Sequence, residues 1–195
     1  MSDPNGYLNF DAHVLPHIDA AYNLARWLTR NEQDAEDVVQ EVFLRASRFF
    51  DGFCGGNTRT WLLRIVRNTS YTWLERNRSQ QPTVAFEQSV FSSDASATNP
   101  KEELLCGEDG KEVRVALEAL PPRLREILIL REVEGMSYQE ISEVTSTPPG
   151  TVMSRLSRAR DELRASLANL VHSKAMPKSA ECSGQTRFHR EESSS

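Results

Sequence analysis

The sequence predicts an all-α protein, in which two small helical domains are joined by a flexible linker. Three observations carry this prediction. Apolar residues recur at three- and four-residue spacing from Ala12 to Arg78, and again over about residues 100–170. Residues 79–100 between them are rich in Ser, Gln, Thr, Ala and Pro and lack periodicity, as linkers do. No alternating strand pattern interrupts residues 10–78.

The composition predicts a soluble, cytoplasmic protein that is not an enzyme. Of 195 residues, 38% are hydrophobic and 26% are charged, which is typical of globular proteins. No run approaches the ~20 apolar residues that span a bilayer, and residues 1–6 lack the basic and apolar parts of a signal peptide. There is no P-loop and no HExxH motif. We therefore expect no catalytic residue and no cofactor.

Candidate metal ligands and disulfides are sparse. Cys54, Cys106 and Cys182 are odd in number and far apart, without a CxxC pair, which predicts reduced thiols. His13 and His17 stand four residues apart on a predicted helix, but two imidazoles without further ligands are typical of ordinary helix residues. No metal site is predicted.

The charges are strongly segregated along the chain, although the net charge is only −5. Residues 31–41 hold five acids and no base, residues 57–78 hold five arginines against one glutamate, and residues 79–110 hold six acids against one lysine. Such alternation suits a protein that contacts both a polyanion and a basic protein surface. Ordinary solvated helix faces would explain each segment equally well on its own.

Three helices are predicted in the first domain. The first covers about residues 12–29, and the second follows the capping residues 31–34 and carries one apolar stripe as far as Ala46. The third, at about 58–77, carries most of the arginines. It follows a loop at 51–57, whose three glycines lower helix propensity and allow positive φ.

The strongest local signal lies between Gly135 and Leu156, and it predicts a helix-turn-helix. Ser137 and Glu140 have the spacing of a capping box and begin a short helix after Gly135 has ended the previous one. Thr147 is predicted to cap a second helix that has two prolines in its first turn. Two short helices joined this tightly form a DNA-reading motif.

The second helix of this motif has one face suited to DNA. At ~100° per residue, its core-facing stripe is predicted to be Val152, Leu156, Ala159 and Leu163. Met153, Ser154, Ser157 and Arg158 are predicted to point outward, with Thr151 and Arg155 on the flank near the start of the helix. Because no acid precedes Asp161, this surface can approach base edges and phosphates. The alternative is a solvated amphipathic helix of a bundle.

Two blocks of the sequence are distinctive when taken together. The first reads DAEDVVQEVFLRA over residues 34–46 and TWLLRIVRN over residues 60–68. The second reads LPPRLRE over residues 120–126, followed by the helix-turn-helix and by SRLSRAR over residues 154–160. They resemble the second and fourth sigma domains of bacterial extracytoplasmic-function (ECF) RNA polymerase sigma factors. Both occur in the family's order, with no third sigma domain between them.

The resemblance implies a sigma factor that directs promoter-specific transcription initiation, with a stress or envelope-response regulon as the expected target. Residues 10–78 correspond to a region 2 domain, which binds core polymerase and recognises and melts the minus-ten element. Residues 79–110 correspond to a flexible acidic linker that resembles the segment threading the polymerase cleft. Residues 111–170 correspond to a region 4 domain that reads the minus-thirty-five element, and residues 171–195 are expected to be a disordered tail.

The resemblance also assigns roles in region 2. The family docks an acidic helix on the coiled coil of the polymerase β′ subunit, which here assigns Asp37, Gln40, Glu41 and Leu44. Its loop and third helix capture the non-template strand of the minus-ten element with a base flipped into a pocket, which here assigns Asn57, Arg59, Trp61, Arg64, Arg67 and Asn68. Trp61 lies on an apolar face, so packing is favoured over base stacking for this residue.

In region 4, the resemblance assigns the reading of the minus-thirty-five element to the four outward residues of the second helix and to Thr151 and Arg155 on its flank. Met153 departs from the basic residue often found in this position. Losing a bidentate donor to guanine removes ~1–3 kcal/mol of discrimination between bases at one position. We therefore expect the preferred minus-thirty-five sequence to differ at that position. The implied partners are core RNA polymerase, through the β′ coiled coil and the β flap, promoter DNA and an anti-sigma factor, with no membrane insertion. No residue identifies the type of anti-sigma factor.

Two other classes of protein remain as alternatives. A two-component-type regulator has a similar helix-turn-helix but needs a βα receiver, which the helical residues 10–78 do not predict. A polymerase-binding adaptor or anti-sigma protein would not read DNA, and Arg155 and Arg158 on an acid-free surface count against it.

Overall fold

The protein consists of two helical modules, the first within residues 10–80 and the second within residues 108–175. The structure is a computed structural model that describes residues 10–53, 55–80 and 108–175. The first module has a helical turn at 10–14, a 3-10 turn at Leu15–His17, α1 (Ile18–Thr29), α2 (Glu32–Phe49), a 3-10 turn at Phe50–Gly52 and α3 (Thr58–Gln80). The second has α4 (Glu108–Ala119), α5 (Pro122–Leu128), a π-helical turn (Ile129–Val133), α6 (Tyr138–Thr145) and α7 (Pro149–Ala175).

Local capping explains where the helices of the first module begin and end. Arg30 adopts the left-handed conformation, with φ of 63°, and its N–H donates to the Arg26 carbonyl, which ends α1. The Asn31 side chain then accepts from the Asp34 N–H at 3.1 Å and caps α2, as the sequence predicted. Asn57 caps α3 in the same way, through a bond from the Thr60 N–H at 3.2 Å.

The first module is a three-helix bundle with an aromatic cluster at one end. Its helices pack on one another through apolar side chains that are almost fully buried, namely Leu24, Val38, Val42, Leu62 and Val66. The cluster consists of Phe10, Phe43, Phe50, Phe53 and Trp61, whose rings contact edge to face or at a tilt, except that Phe50 and Phe53 are stacked. Trp61 therefore packs, as the sequence predicted.

The second module contains the predicted helix-turn-helix, formed by α6 and α7. The Glu140 N–H donates to the Ser137 hydroxyl at 3.2 Å, and the Ser137 N–H donates to the Glu140 carboxylate at 2.8 Å. This confirms the capping box. Gly135 has a φ of +65°, which a glycine adopts without strain, and it ends the preceding π-helical turn. α4, α5 and α6 all pack against α7.

Two boundaries differ from the sequence predictions. Thr147 does not cap α7, because the helix begins at Pro149 and the Pro148 carbonyl accepts from the Thr151 and Val152 N–H groups. The Thr147 hydroxyl instead donates to the Thr145 carbonyl. At its other end α7 continues to Ala175, five residues into the predicted tail.

The linker prediction also changes at its edges, since α3 extends to Gln80 and α4 begins at Glu108. The rest of the linker, Cys54, Cys106 and the tail after Ala175 lie outside the described residues.

The two modules are packed against each other, which the sequence did not predict. α1 lies against α5, and α3 lies against α6, so that the buried apolar residues form one continuous cluster. The described residues contain no strand, in agreement with the predicted all-α class.

Candidate polymerase and nucleic-acid interfaces

The residues assigned to core polymerase lie together on one face of α2. Asp37, Gln40 and Leu44 are exposed, and Leu44 is 54% accessible despite its apolar side chain. The Glu41 carboxylate accepts from the Arg45 guanidinium at 2.7 Å, one turn along the helix. An exposed leucine ringed by carboxylates and an amide is a composition suited to a specific protein contact.

A second group of assigned residues lies where α3 begins. The Asn57 amide donates to the Glu140 carboxylate at 2.7 Å. The Arg59 guanidinium donates to the Glu134 carbonyl at 2.7 Å and to its carboxylate at 2.5 Å. Both acids belong to the second module. Two of the residues assigned to minus-ten DNA are therefore in contact with the other half of the chain.

Further along α3, Arg67 is held by the second module and Arg64 is not. The Arg67 guanidinium donates to the Glu126 carboxylate, which also accepts from the Tyr71 hydroxyl at 3.0 Å. Arg67 also stacks over the Tyr71 ring and donates to the exposed Asn68 at 3.3 Å. Arg64 is exposed and makes no hydrogen bond or ion pair with any residue that the structure describes.

Burial dominates the electrostatics of this contact. Desolvation raises the pKa of Glu126 above its usual range, while the neighbouring Arg67 opposes that shift. The pKa of Tyr71 is raised as well, by burial and by the adjacent Glu126 carboxylate. Tyr71 therefore stays protonated and acts as a donor to the carboxylate at neutral pH.

The glycine loop before α3 borders an aromatic cavity of about 540 Å³. His13, Phe50 and Phe53 line it with aromatic rings, together with Asp51 and with Gly55 and Gly56, whose φ values are 89° and 119°. Only glycine adopts such values easily. The cavity adjoins Thr58, one residue from Arg59, so the loop and the arginines lie side by side.

The outward face of α7 is open. Met153 is 51% exposed, and Ser154, Ser157 and Arg158 are exposed with it, while Thr151 and Arg155 are half-buried at its flank. The Arg155 guanidinium donates to the Thr147 hydroxyl at 3.4 Å, and Arg158 donates to Glu162 at 2.9 Å. The predicted core stripe is confirmed: Val152, Leu156 and Ala159 are buried, and Leu163 packs against them.

Within the described residues, no helix has the length and hydropathy needed to cross a bilayer. Nor do three or more His, Cys, Asp or Glu side chains of these residues converge on a possible metal position.

Comparison with known proteins identifies the family. The family models for Sigma-70 region 2 and for Sigma-70, region 4 match residues 14–80 and 110–163 respectively. The ECF RNA polymerase sigma-E factor of Escherichia coli K12 is 37% identical over 145 residues, which cover 71% of this chain and 76% of that protein. The chain belongs to the ECF family of RNA polymerase sigma factors.

Other relatives agree with this assignment. The ECF sigma factor SigE of Mycolicibacterium smegmatis is 34% identical over 172 residues, which cover 88% of this chain and 66% of that protein. Among solved structures, the sigma factor RpoE of Bartonella quintana, bound to the anti-sigma factor NepR, is similar with a TM-score of 0.66 and 28% identity, covering 82% of this chain and 97% of that one. CnrH, in complex with the cytosolic domain of CnrY, is similar with a TM-score of 0.58 and 26% identity, and the match covers 85% of this chain and 89% of that one.

Sequence reasoning missed three residues of this sigma factor that hold its two modules together. Arg125, Glu126 and Glu134 are charged but almost fully buried. All three lie in or next to the region 4 match, and none was assigned a role. Arg125 and Glu126 lie in the LPPRLRE segment at residues 120–126, but no sequence pattern marks these three residues as buried.

Arg125 joins the ends of two helices. Its guanidinium donates to the carbonyls of Leu117, Glu118 and Leu120, which close α4, and to the Trp27 carbonyl in the last turn of α1. A cation suits these positions because the last carbonyls of a helix lack intrahelical partners. Burial lowers the pKa of Arg125 to about 10, so it remains charged at neutral pH.

Proposed function

We propose that this ECF sigma factor binds core RNA polymerase through the exposed face of α2 and directs initiation by reading promoter DNA at two separate elements. The observation that carries the proposal is the outward face of α7. It combines exposed hydroxyls and arginines on the second helix of a capped helix-turn-helix, and it carries no acid before Asp161. This is the surface chemistry that base edges and phosphates require.

In region 2, we assign capture of the minus-ten single strand to the start of α3 and the glycine loop. Arginines along α3 supply a basic track, and the cavity beside Gly55 and Gly56 has aromatic walls and room for a flipped base. Phe50 and Phe53 extend the assignment made from sequence, because their rings line this cavity. Trp61 supports them from behind through its contact with Phe53 at 5.0 Å.

The proposal requires no catalytic chemistry from this chain. Strand opening draws its free energy from binding unpaired bases and from the polymerase's own contacts. The protein acts where RNA polymerase acts, in the cytoplasm. Because the sigma factor RpoE of Bartonella quintana, which this chain resembles in fold, is bound to the anti-sigma factor NepR, an anti-sigma factor is the expected regulator.

The proposal is tested by transcription in vitro with purified core polymerase and a pool of randomised promoter fragments. We expect the transcripts to share two upstream elements, with a minus-thirty-five preference altered by Met153. Binding to core polymerase without specific initiation would instead support an adaptor. Binding to DNA without any affinity for core polymerase would support a helix-turn-helix regulator.

Core binding is tested separately with the variant Asp37→Ala/Gln40→Ala/Leu44→Ala. These side chains are exposed and make no contact that the bundle needs, so the fold is expected to persist while affinity for core polymerase falls. The matched control is Glu36→Ala, an exposed acid on the same helix outside the assigned set. If both variants lost affinity for core polymerase equally, binding would depend on net charge and not on the assigned residues.

A further inference from the structure

One side chain on the outward face of α7 differs in chemistry from the rest of that face. Met153 is 51% exposed, and among the side chains of α7 that the structure describes it is the one large apolar group that is exposed. It is the fifth residue of α7, which begins at Pro149. The N-terminal residues of the second helix of a helix-turn-helix contact base edges. Met153 therefore stands where a side chain discriminates between bases.

We propose that Met153 selects thymine at one base pair of the minus-thirty-five element, through contact between its side chain and the C5 methyl group of that base. The inference rests on the proposed function, because it assumes that α7 reads duplex DNA in the major groove, and it adds which base is read and by which atoms. Of the four standard bases, thymine alone presents a methyl group in the major groove.

Met153 and the residue next to it leave a base edge without a hydrogen-bond donor. A thioether has no donor, and its sulfur is a weak acceptor. The Ser154 hydroxyl already donates to the Thr151 carbonyl at 3.0 Å. Guanine presents two acceptors, N7 and O6, in the major groove. A guanine beneath Met153 would lose water from both acceptors without gaining a partner, and such a loss is unfavourable.

The other bases rank between guanine and thymine at this point. Thymine presents one acceptor, O4, beside an apolar methyl group that the flexible and polarisable side chain of Met153 can cover. Adenine and cytosine each present an amino group, from which the Ser154 oxygen can accept. They lack the methyl group, so they gain no apolar contact. The expected order of preference is thymine first and guanine last.

The arginines of α7 point away from Met153 and do not supply the missing donor. At ~100° per residue, Arg155 lies ~160° and Arg158 ~140° from Met153 around the helix. The Arg155 guanidinium is directed toward the turn, where it donates to the Thr147 hydroxyl at 3.4 Å. Arg158 donates to Glu162, one turn further along α7, at 2.9 Å. The thymine preference therefore belongs to a base pair that the arginines do not read.

The first measurement is transcription in vitro from a promoter pool randomised in the minus-thirty-five element, with the full-length protein and core polymerase. Wild type is compared with Met153→Ala and with two controls. Ser157→Ala removes an exposed hydroxyl one turn away on the same face, and Val115→Ala shortens a 52% exposed apolar side chain of α4. We expect one base pair at which the wild type and both controls prefer thymine and at which Met153→Ala loses that preference.

The second measurement removes the methyl group from the DNA and leaves the protein unchanged. Deoxyuridine replaces thymidine at that base pair of the selected promoter, which deletes one methyl group and keeps the base pairing. We expect initiation by the wild type to fall about fourfold, the factor that corresponds to ~0.8 kcal/mol for one buried methyl-sized group. Met153→Ala should initiate nearly equally from the two promoters, because its side chain is too short to cover the methyl group.

The outcomes separate the inference from the function on which it rests. Equal initiation by the wild type from the thymine and uracil promoters would overturn the methyl contact, while a shared minus-thirty-five element would leave the function intact. A thymine preference that Ser157→Ala or Val115→Ala removes and Met153→Ala keeps would also overturn the inference. So would a selected element in which no thymine depends on Met153. The absence of any shared upstream element would overturn the proposed function itself.

Discussion

The two surfaces that we propose to read DNA differ in how far contacts within the protein engage them. The outward face of α7 is open, with Arg158 74% exposed along its side chain. Along α3 the assigned residues are partly engaged: Asn57, Arg59 and Arg67 contact region 4, whereas Arg64 and Asn68 are exposed. The face assigned to duplex DNA makes few contacts within the protein, whereas three residues assigned to single-stranded DNA are bonded to acids of region 4. The comparison shows that contacts within the chain involve the residues assigned to single-stranded DNA more than those assigned to duplex DNA.

The largest expected effect concerns the open surface. Arg155→Ala/Arg158→Ala should lower specific transcription roughly 100-fold or more, because each arginine contact to a base edge contributes ~1–3 kcal/mol. The measurement is initiation from the promoter selected in the randomised pool. Arg164→Ala is the control, since Arg164 is exposed farther along α7 and pairs with Asp161. Similar losses in the control would indicate a general effect of charge and not sequence reading.

The next effect concerns the buried contact that Arg125 makes between the two modules. Arg125→Met should lower the free energy of unfolding by about 3 kcal/mol, because buried carbonyls that lose their donor keep the cost of desolvation. Chemical denaturation followed by circular dichroism measures this loss. Arg123→Ala, at an exposed position two residues earlier, should change stability by less than ~0.5 kcal/mol. If both variants were equally mild, Arg125 would contribute little to the packing of the modules.

A smaller effect sharpens the comparison within region 4. Ser137→Ala removes the hydroxyl that caps α6, and it should cost about 1 kcal/mol in the free energy of unfolding. Thermal unfolding provides the measurement. Gln139→Ala, at an exposed position on the same helix, should leave the melting temperature nearly unchanged. If Ser137→Ala left the melting temperature unchanged, packing against α7 alone would be enough to hold α6 in place.

The smallest effect depends on pH. The pKa of Glu140 is lowered, mainly by the bond from the Ser137 backbone N–H. Its folded-state pKa lies below the ordinary value of 4.5, so the stability it contributes is fully present above that pH and is lost as the pH falls through the lowered value. Glu140→Gln should therefore flatten the acid limb of the stability profile. An unchanged slope between wild type and variant would contradict this assignment.

Local chemistry made part of this structure predictable from sequence. The capping box at Ser137 and Glu140 and the buried stripe from Val152 to Ala159 depend on residues three or four positions apart. The contact between the modules depends on pairs such as Arg67 and Glu126, which are 59 positions apart. A lone glutamate in a charged segment has no sequence signature of burial, so Glu126 was indistinguishable from a surface acid.

The error at Thr147 has a local cause. Thr147 is a good capping residue, but Pro149 is the first helical residue, which makes Pro148 the capping position. Proline cannot offer a side-chain acceptor, and it caps α7 with its backbone carbonyl alone. Sequence preference identified the right kind of residue one position too early, as is common at helix ends.

The ion pairs Arg59–Glu134 and Arg67–Glu126 join residues of a single chain. An intramolecular contact depends on the effective concentration within the chain, so it is formed to the same extent whether a cell holds few copies of the protein or many. A contact between separate chains, by contrast, weakens on dilution.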